Sequence, residues 1–148
     1  MEVTIEYLKH ADLPQYKKML DDVLGESNSL EYLQAYYKEH HASVKVVVAK
    51  KETEIVGTIT FTLIDTFTSA MDPKIEFSNF ATALAARGTD AATLLMNFVM
   101  DYAKAHGYQS IVVNCLADAA RAHRFYEKMG FERLDSVRFR WDVNGKTK

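Results

Sequence analysis

Residues 81–95, ATALAARGTDAATLL, restrict the fold most, because they join two elements of different periodicity. Before them, residues 74–83 (KIEFSNFATA) read as a strand. After them, Ala91, Leu94, Leu95, Phe98, Val99 and Tyr102 recur at helical spacing, the mark of one buried helix face. Gly107 stops that helix. A short apolar strand then follows at residues 110–114 (SIVVN). A strand reached through a crossover helix should lie parallel to the one that precedes the helix, with a right-handed connection. The turn itself gathers free backbone N–H groups at the positive end of a helix, an arrangement that suits a phosphate or another anion.

The rest of the chain supplies layers for that unit. Residues 3–8 alternate and suggest a first strand. Asp12 with Gln15 reads as a capping box, and Pro14 is tolerated in a first helical turn. Leu13, Tyr16, Leu20, Val23 and Leu24 follow helical spacing until Gly25. Asn28 with Glu31 reads as a second capping box, and Leu30, Leu33, Tyr36 and Tyr37 lie on one side of the helix it opens. Residues 44–49 (VKVVVA) and 55–64 (IVGTITFTLI) form a hairpin; in its second strand Ile55, Gly57, Ile59, Phe61 and Leu63 share one face and Thr58, Thr60 and Thr62 the other. Residues 65–73 are a polar loop. Near the end, Asp118 caps a last helix, Gly130 stops it, and residues 131–143 supply a final strand or pair of strands. The expected order is β-α-α-β-β-β-α-β-α-β: a mixed α/β (α+β) fold in one domain over 1–148, with a central sheet and helices on both faces.

Several function classes fall away on composition. A net charge of −2 lacks the basic footprint of a nucleic-acid binder. No apolar run reaches the roughly 20 residues of a membrane span, so no membrane role is expected. The opening MEVTIEYLKH lacks a charged-then-apolar leader pattern. Cys115 is the one cysteine, which excludes an intrachain disulfide and a thiolate metal cluster. The expected compartment is the cytoplasm.

With AHRFYEKMGF at residues 122–131 and RGTDAATLL at residues 87–95, this order resembles the GNAT acyl-CoA N-acyltransferases over essentially the whole chain. The family's turn reads Gln/Arg-x-x-Gly-x-Gly/Ala. Arg87, Gly88 and Ala92 fit it, while Asp90 stands where the first motif glycine is expected. The family's last helix reads Asn-x-x-Ala-x-x-Phe-Tyr-x-Lys-x-Gly-Phe. Ala122, Phe125, Tyr126, Lys128, Gly130 and Phe131 fit it, and Ala119 replaces the asparagine. The resemblance implies acetyl-CoA bound across Phe80, Ala81 and Thr82, along the turn residues Arg87, Gly88, Thr89, Ala91, Ala92 and Thr93, and against Ala122 and Phe125. It implies a small-molecule primary amine that attacks the thioester directly, backbone N–H groups holding the carbonyl oxygen where the fourth and fifth strands part, and a homodimer. Asp90 and Ala119 keep open a second reading, a GNAT-like binding or regulatory module without catalysis.

Each candidate has a plainer role beside the chemical one. Lys128, Met129, Gly130 and Phe131 make a helix stop of the Schellman type. That does not account for Tyr126, which lies about 100° round the helix from the core position Phe125. The resemblance implies that Tyr126 protonates the leaving thiolate. An attacking ammonium must first lose a proton, and Glu76 can accept it directly or through water; its plainer role is a solvated strand charge. Tyr36, Tyr37, Glu39, His40 and His41 close the second helix and are candidates for the acceptor site. The two histidines are adjacent, point about 100° apart and make a poor metal pair, so no metal is expected. Cys115 reads as a small buried hydrophobe.

Overall fold

Valine-rich β segments that are apolar on both faces need cover on both sides. In the computed structural model, which describes residues 2–40, 42–68 and 71–145, Val47, Val48 and Ala49 are all fully buried although successive side chains point to opposite faces. The backbone clusters into two compact units, Met1–Asn114 and Cys115–Lys148.

The first unit holds a five-stranded sheet in the order β1-β2-β3-β4-β5. Its strands are β1 (Thr4–Tyr7), β2 (Val44–Lys51), β3 (Glu54–Ile64), β4 (Lys74–Thr82) and β5 (Ser110–Val112). The first four pair antiparallel, and β5 joins β4 in parallel, as a crossover helix between them requires. Helices α1 (Leu13–Leu24) and α2 (Leu30–His40) share a core with Leu8, Val48 and Ile55. Helix α3 (Ala91–His106) packs elsewhere on the sheet: Leu95 Cδ1 lies 3.2 Å from where a Cβ on Gly57 would stand, and Phe98 and Tyr102 meet Tyr7 and Phe61 edge-on. The buried stripe of α3 is Ala91, Leu95, Met96, Val99 and Ala103. Leu94, Phe98 and Tyr102, read from the sequence as part of the stripe, flank it and are half-buried.

The second unit carries α4 (Ala120–Lys128), which ends in a Schellman motif. The Phe131 N–H donates to the Tyr126 carbonyl, the Gly130 N–H donates to the Glu127 carbonyl, and Gly130 takes φ +97°.

Several local expectations shift. Asp12 does not cap α1; its carboxylate accepts the Lys9 N–H and closes a short 3-10 turn, while Gln15 accepts the Ile55 N–H. The cap of α2 is Ser29, whose hydroxyl oxygen accepts the Tyr32 N–H, because Asn28 is drawn away to Asp21. No side chain caps α4, whose first residue follows Ala119, not Asp118. Cys115 is exposed rather than buried. Phe125 is half-buried, and α4 buries no residue completely. The final strand is absent: residues 131–142 form no ladder. Alternation favours an extended backbone, but a strand also needs a paired edge; here Val137, Phe139, Trp141 and Val143 stay exposed.

Candidate active site

Two irregularities in β4 define the site. Thr60 pairs with Ser78 but Thr58 pairs with Ala81, so β4 carries one extra residue between these rungs. Asn79 sits in that bulge with φ +47°, a conformation a non-glycine residue holds only where its surroundings enforce it. On the other edge the ladder to β5 covers only Lys74–Ser110, Ile75–Ile111 and Glu76–Val112. Past that last rung β4 runs on to Thr82 without a ladder to β5. Glu76 stands at the rung where the strands part, and its carboxylate accepts the Asn114 amide at 2.8 Å.

The end of β4 leads into the turn. Residues 84–86 make one 3-10 turn, Arg87 is extended, and Gly88 takes φ +78°, the left-handed region that glycine enters without strain. Thr89 braces the loop: its hydroxyl donates to the Ala86 carbonyl and accepts the Ala91 N–H at 3.3 Å. Asp90 is the N-cap residue of α3, and its side chain makes no capping bond. The Leu94 N–H makes the first intrahelical bond, to the Asp90 carbonyl, so the N–H groups of Ala92 and Thr93 are the ones helix geometry leaves for an anion. Phe80, Ala81 and Thr82 of β4 therefore lie along the same backbone run as Arg87, Gly88, Thr89, Ala91, Ala92 and Thr93, within one unit. This donor set fits an extended, phosphate-bearing ligand, with the Asp90 charge opposing it.

A cavity of about 690 Å³ opens onto the same strand, with Ser78, Asn79, Thr60 and Thr62 in its wall. Its remaining lining is largely aromatic: Tyr7, Tyr16, Tyr32, Tyr36, Tyr37 and Tyr102, with His40 and His106. Burial raises the pKa of Tyr16, and burial together with Tyr102 raises that of Tyr7, so both phenols stay neutral through physiological pH. Of the cluster expected at the end of α2, Tyr36, Tyr37 and His40 line this cavity, Glu39 does not, and His41 lies outside the described residues. Glu76 does not line it either, although it shares the face of Thr62 and Ser78. The bulge at Asn79 and the contributions of Tyr32, Tyr102 and His106 were missed by sequence reasoning. The i, i+4 spacing of Tyr32, Tyr36 and His40, and of Tyr102 and His106, was the signal available.

The second unit holds Ala122, Phe125 and Tyr126 on α4. The Tyr126 ring packs against Phe125 and Phe131, with centroids at 5.9 and 5.8 Å. Desolvation, then the neighbouring Cys115, pushes the Tyr126 pKa up, which keeps its proton in place at neutral pH. Among the described residues no group of histidine, cysteine and carboxylate side chains is placed to hold a metal ion. No helix there is long and apolar enough to cross a membrane.

The model of the acetyltransferase (GNAT) family matches residues 7–131, and the chain belongs to that family. Its structure is similar to that of a transcriptional regulator from Bacillus halodurans C-125, at TM-score 0.81 and 25% identity, covering 95% of this chain and 100% of that one. It is also similar to glucosamine-6-phosphate N-acetyltransferase from Arabidopsis thaliana, at TM-score 0.78 and 17% identity, covering 97% and 99%. A third is AAC(6′)-Iy in complex with the bisubstrate analogue CoA-S-monomethyl-acetylneamine, at TM-score 0.80 and 12% identity, covering 96% and 99%. Comparison with curated proteins gives no significant match.

Proposed function

We propose that the protein is an acetyl-CoA-dependent N-acetyltransferase, acting as one domain over 1–148 on the primary amine of a small molecule. The observation that carries this reading is the parting of β4 from β5 after Glu76, on the same backbone run as the Gly88 turn and the start of α3. Family membership and a structural neighbour bound to a CoA conjugate support it.

Bound acetyl-CoA supplies an acetyl carbon activated as a thioester. The N–H groups of Ala92 and Thr93 meet its phosphates, and Arg87 adds a positive charge at the same turn. Backbone N–H groups of β4 past Glu76 hold the thioester oxygen as negative charge grows on it, the kind of preorganised dipole that contributes most to acyl transfer. Glu76 takes the proton that the ammonium must lose, directly or through water. Tyr126 gives its proton to the departing thiolate, and it must do so against the upward shift that burial imposes on its pKa. Release of free thiol from acetyl-CoA in the presence of an accepted amine measures the reaction. Tyr126→Phe removes one hydroxyl and should lower turnover by roughly 10²-fold or more with the fold intact. Unchanged turnover would remove Tyr126 from the mechanism.

The setting we propose is cytoplasmic, with a homodimer as the working form. Sedimentation equilibrium giving only a 16.8 kDa species at micromolar concentration would contradict the dimer.

A further inference from the structure

We propose that the tyrosine-lined cavity selects an amine with a single positive charge and a flat aromatic body, and that it rejects polyamines. The acetyl acceptance of that amine rests on the reading above; its selection rests on other residues.

Two aromatic ladders stand in the cavity wall. On α2, Tyr32 stacks on Tyr36 at 5.8 Å, and Tyr36 meets His40 at 4.3 Å. On α3, Tyr102 stacks on His106 at 3.9 Å and 14°. A ladder at i, i+4 spacing presents ring faces along one helix side, and a flat ring can stack or tilt against them. Tyr32 and Tyr36 are exposed in the free protein, at 63% and 37%, so these two large apolar surfaces await cover. The volume, about 690 Å³, lies within the range of small-molecule sites.

Charge decides against polycations. Among the described residues no aspartate or glutamate lines the cavity, and the one permanently charged lining residue is Lys45. A ligand with several ammonium groups would find repulsion and no carboxylate there. A monoamine loses its charge on deprotonation before it attacks, and needs only one polar station. That station is the floor at Thr60 and Ser78, neighbours across β3 and β4. Thr60 Oγ1 is sealed from solvent without a hydrogen-bond partner of acceptable geometry, although the Tyr16 phenol lies close enough to interact with it. The ligand's amine nitrogen therefore meets Ser78, which is exposed on the cavity side of the same rung and can donate or accept. The same floor adjoins the Asn79 bulge, so the amine end points toward the parted strands while the ring lies against the Tyr32–Tyr36 ladder; Tyr102 and His106 stand on the other face of the sheet, where Tyr102 meets Phe61.

The test compares 2-phenylethylamine and tryptamine with spermidine and neamine, using the full chain and saturating acetyl-CoA. The aromatic monoamines should show kcat/KM at least tenfold higher, a difference of about 1.4 kcal/mol. Tyr32→Leu, at an exposed position that should not disturb folding, should raise KM for 2-phenylethylamine several-fold and leave n-butylamine unaffected. Lys45→Glu should improve spermidine relative to 2-phenylethylamine. Preference for a polyamine, or an unchanged ratio in both variants, would overturn the proposal. Calorimetric titration of 2-phenylethylamine without acetyl-CoA separates this idea from the acetyl-transfer reading. Binding weakened by Tyr32→Leu would support the aromatic site even in a chain that transfers no acetyl group, and no binding would refute it.

Discussion

Asp12 shows how one side chain ties the first elements together. Its carboxylate accepts the Lys9 N–H at 3.0 Å and the Lys50 ammonium at 3.1 Å, and Lys50 also holds Glu6 at 3.1 Å. Burial of the carboxylate opposes ionisation, but the bonds from Lys9 and Lys50 outweigh it and hold the Asp12 pKa below the ordinary value. A depressed folded pKa means that this stabilisation is complete above the unfolded carboxylate pKa, about 4, and is lost as pH falls through that value and the lower folded one. Asp12→Asn should cost about 1–3 kcal/mol at pH 7, the scale of a hydrogen bond to a charged group, and flatten the acid limb of the melting profile. Parallel acid limbs for variant and parent would contradict this. Asp90 presents the opposite balance. Its side chain makes no capping bond, so its value to the free protein is the favourable helix-end charge, about 0.3–1 kcal/mol. A phosphate near 4 Å would feel a repulsion of about 1 kcal/mol in water and about 4 at an effective dielectric of 20. Asp90→Gly should therefore tighten acetyl-CoA by roughly tenfold and lower the melting temperature slightly. Equal or weaker affinity would mean that the carboxylate points away from the phosphates.

At the scale of elements, what the sequence disclosed was local periodicity. The five strands of the sheet and the four helices follow from alternation, helical stripes and glycine stops at Gly25, Gly107 and Gly130, each of which takes positive φ. Cap positions were less legible, because several polar side chains near a helix start compete and tertiary partners choose among them. Asp21 captures Asn28, and Ser29 caps instead. The extra residue in β4 was illegible, since KIEFSNFAT alternates acceptably in either register and only pairing with β3 exposes the slip. Residues 131–143 failed in the other direction: their alternation is clear, but pairing depends on a neighbour that no local pattern specifies. The buried stripe of α3 makes a direct check of the layer arrangement. Leu95 is fully buried and abuts Gly57, so Leu95→Ala should cost about 2–5 kcal/mol in chemical denaturation. A cost below about 1 kcal/mol would mean that α3 is not held against β3 as described.

For the molecule as a whole, the candidate site was half legible. The turn with Arg87 and Gly88, and the Ala-x-x-Phe-Tyr motif with Tyr126, could be found because they are contiguous in sequence. The cavity could not, because Tyr7, Tyr36, Ser78 and Tyr102 come from four separate elements. The account stands on one claim: the parted strands, the Gly88 turn and the start of α3 form a seat for acetyl-CoA. Isothermal titration calorimetry of the full chain with acetyl-CoA tests it most directly. The account predicts saturable binding at one site per chain, tighter in Asp90→Gly. No heat of binding at millimolar acetyl-CoA, for the parent and for Asp90→Gly alike, would contradict it.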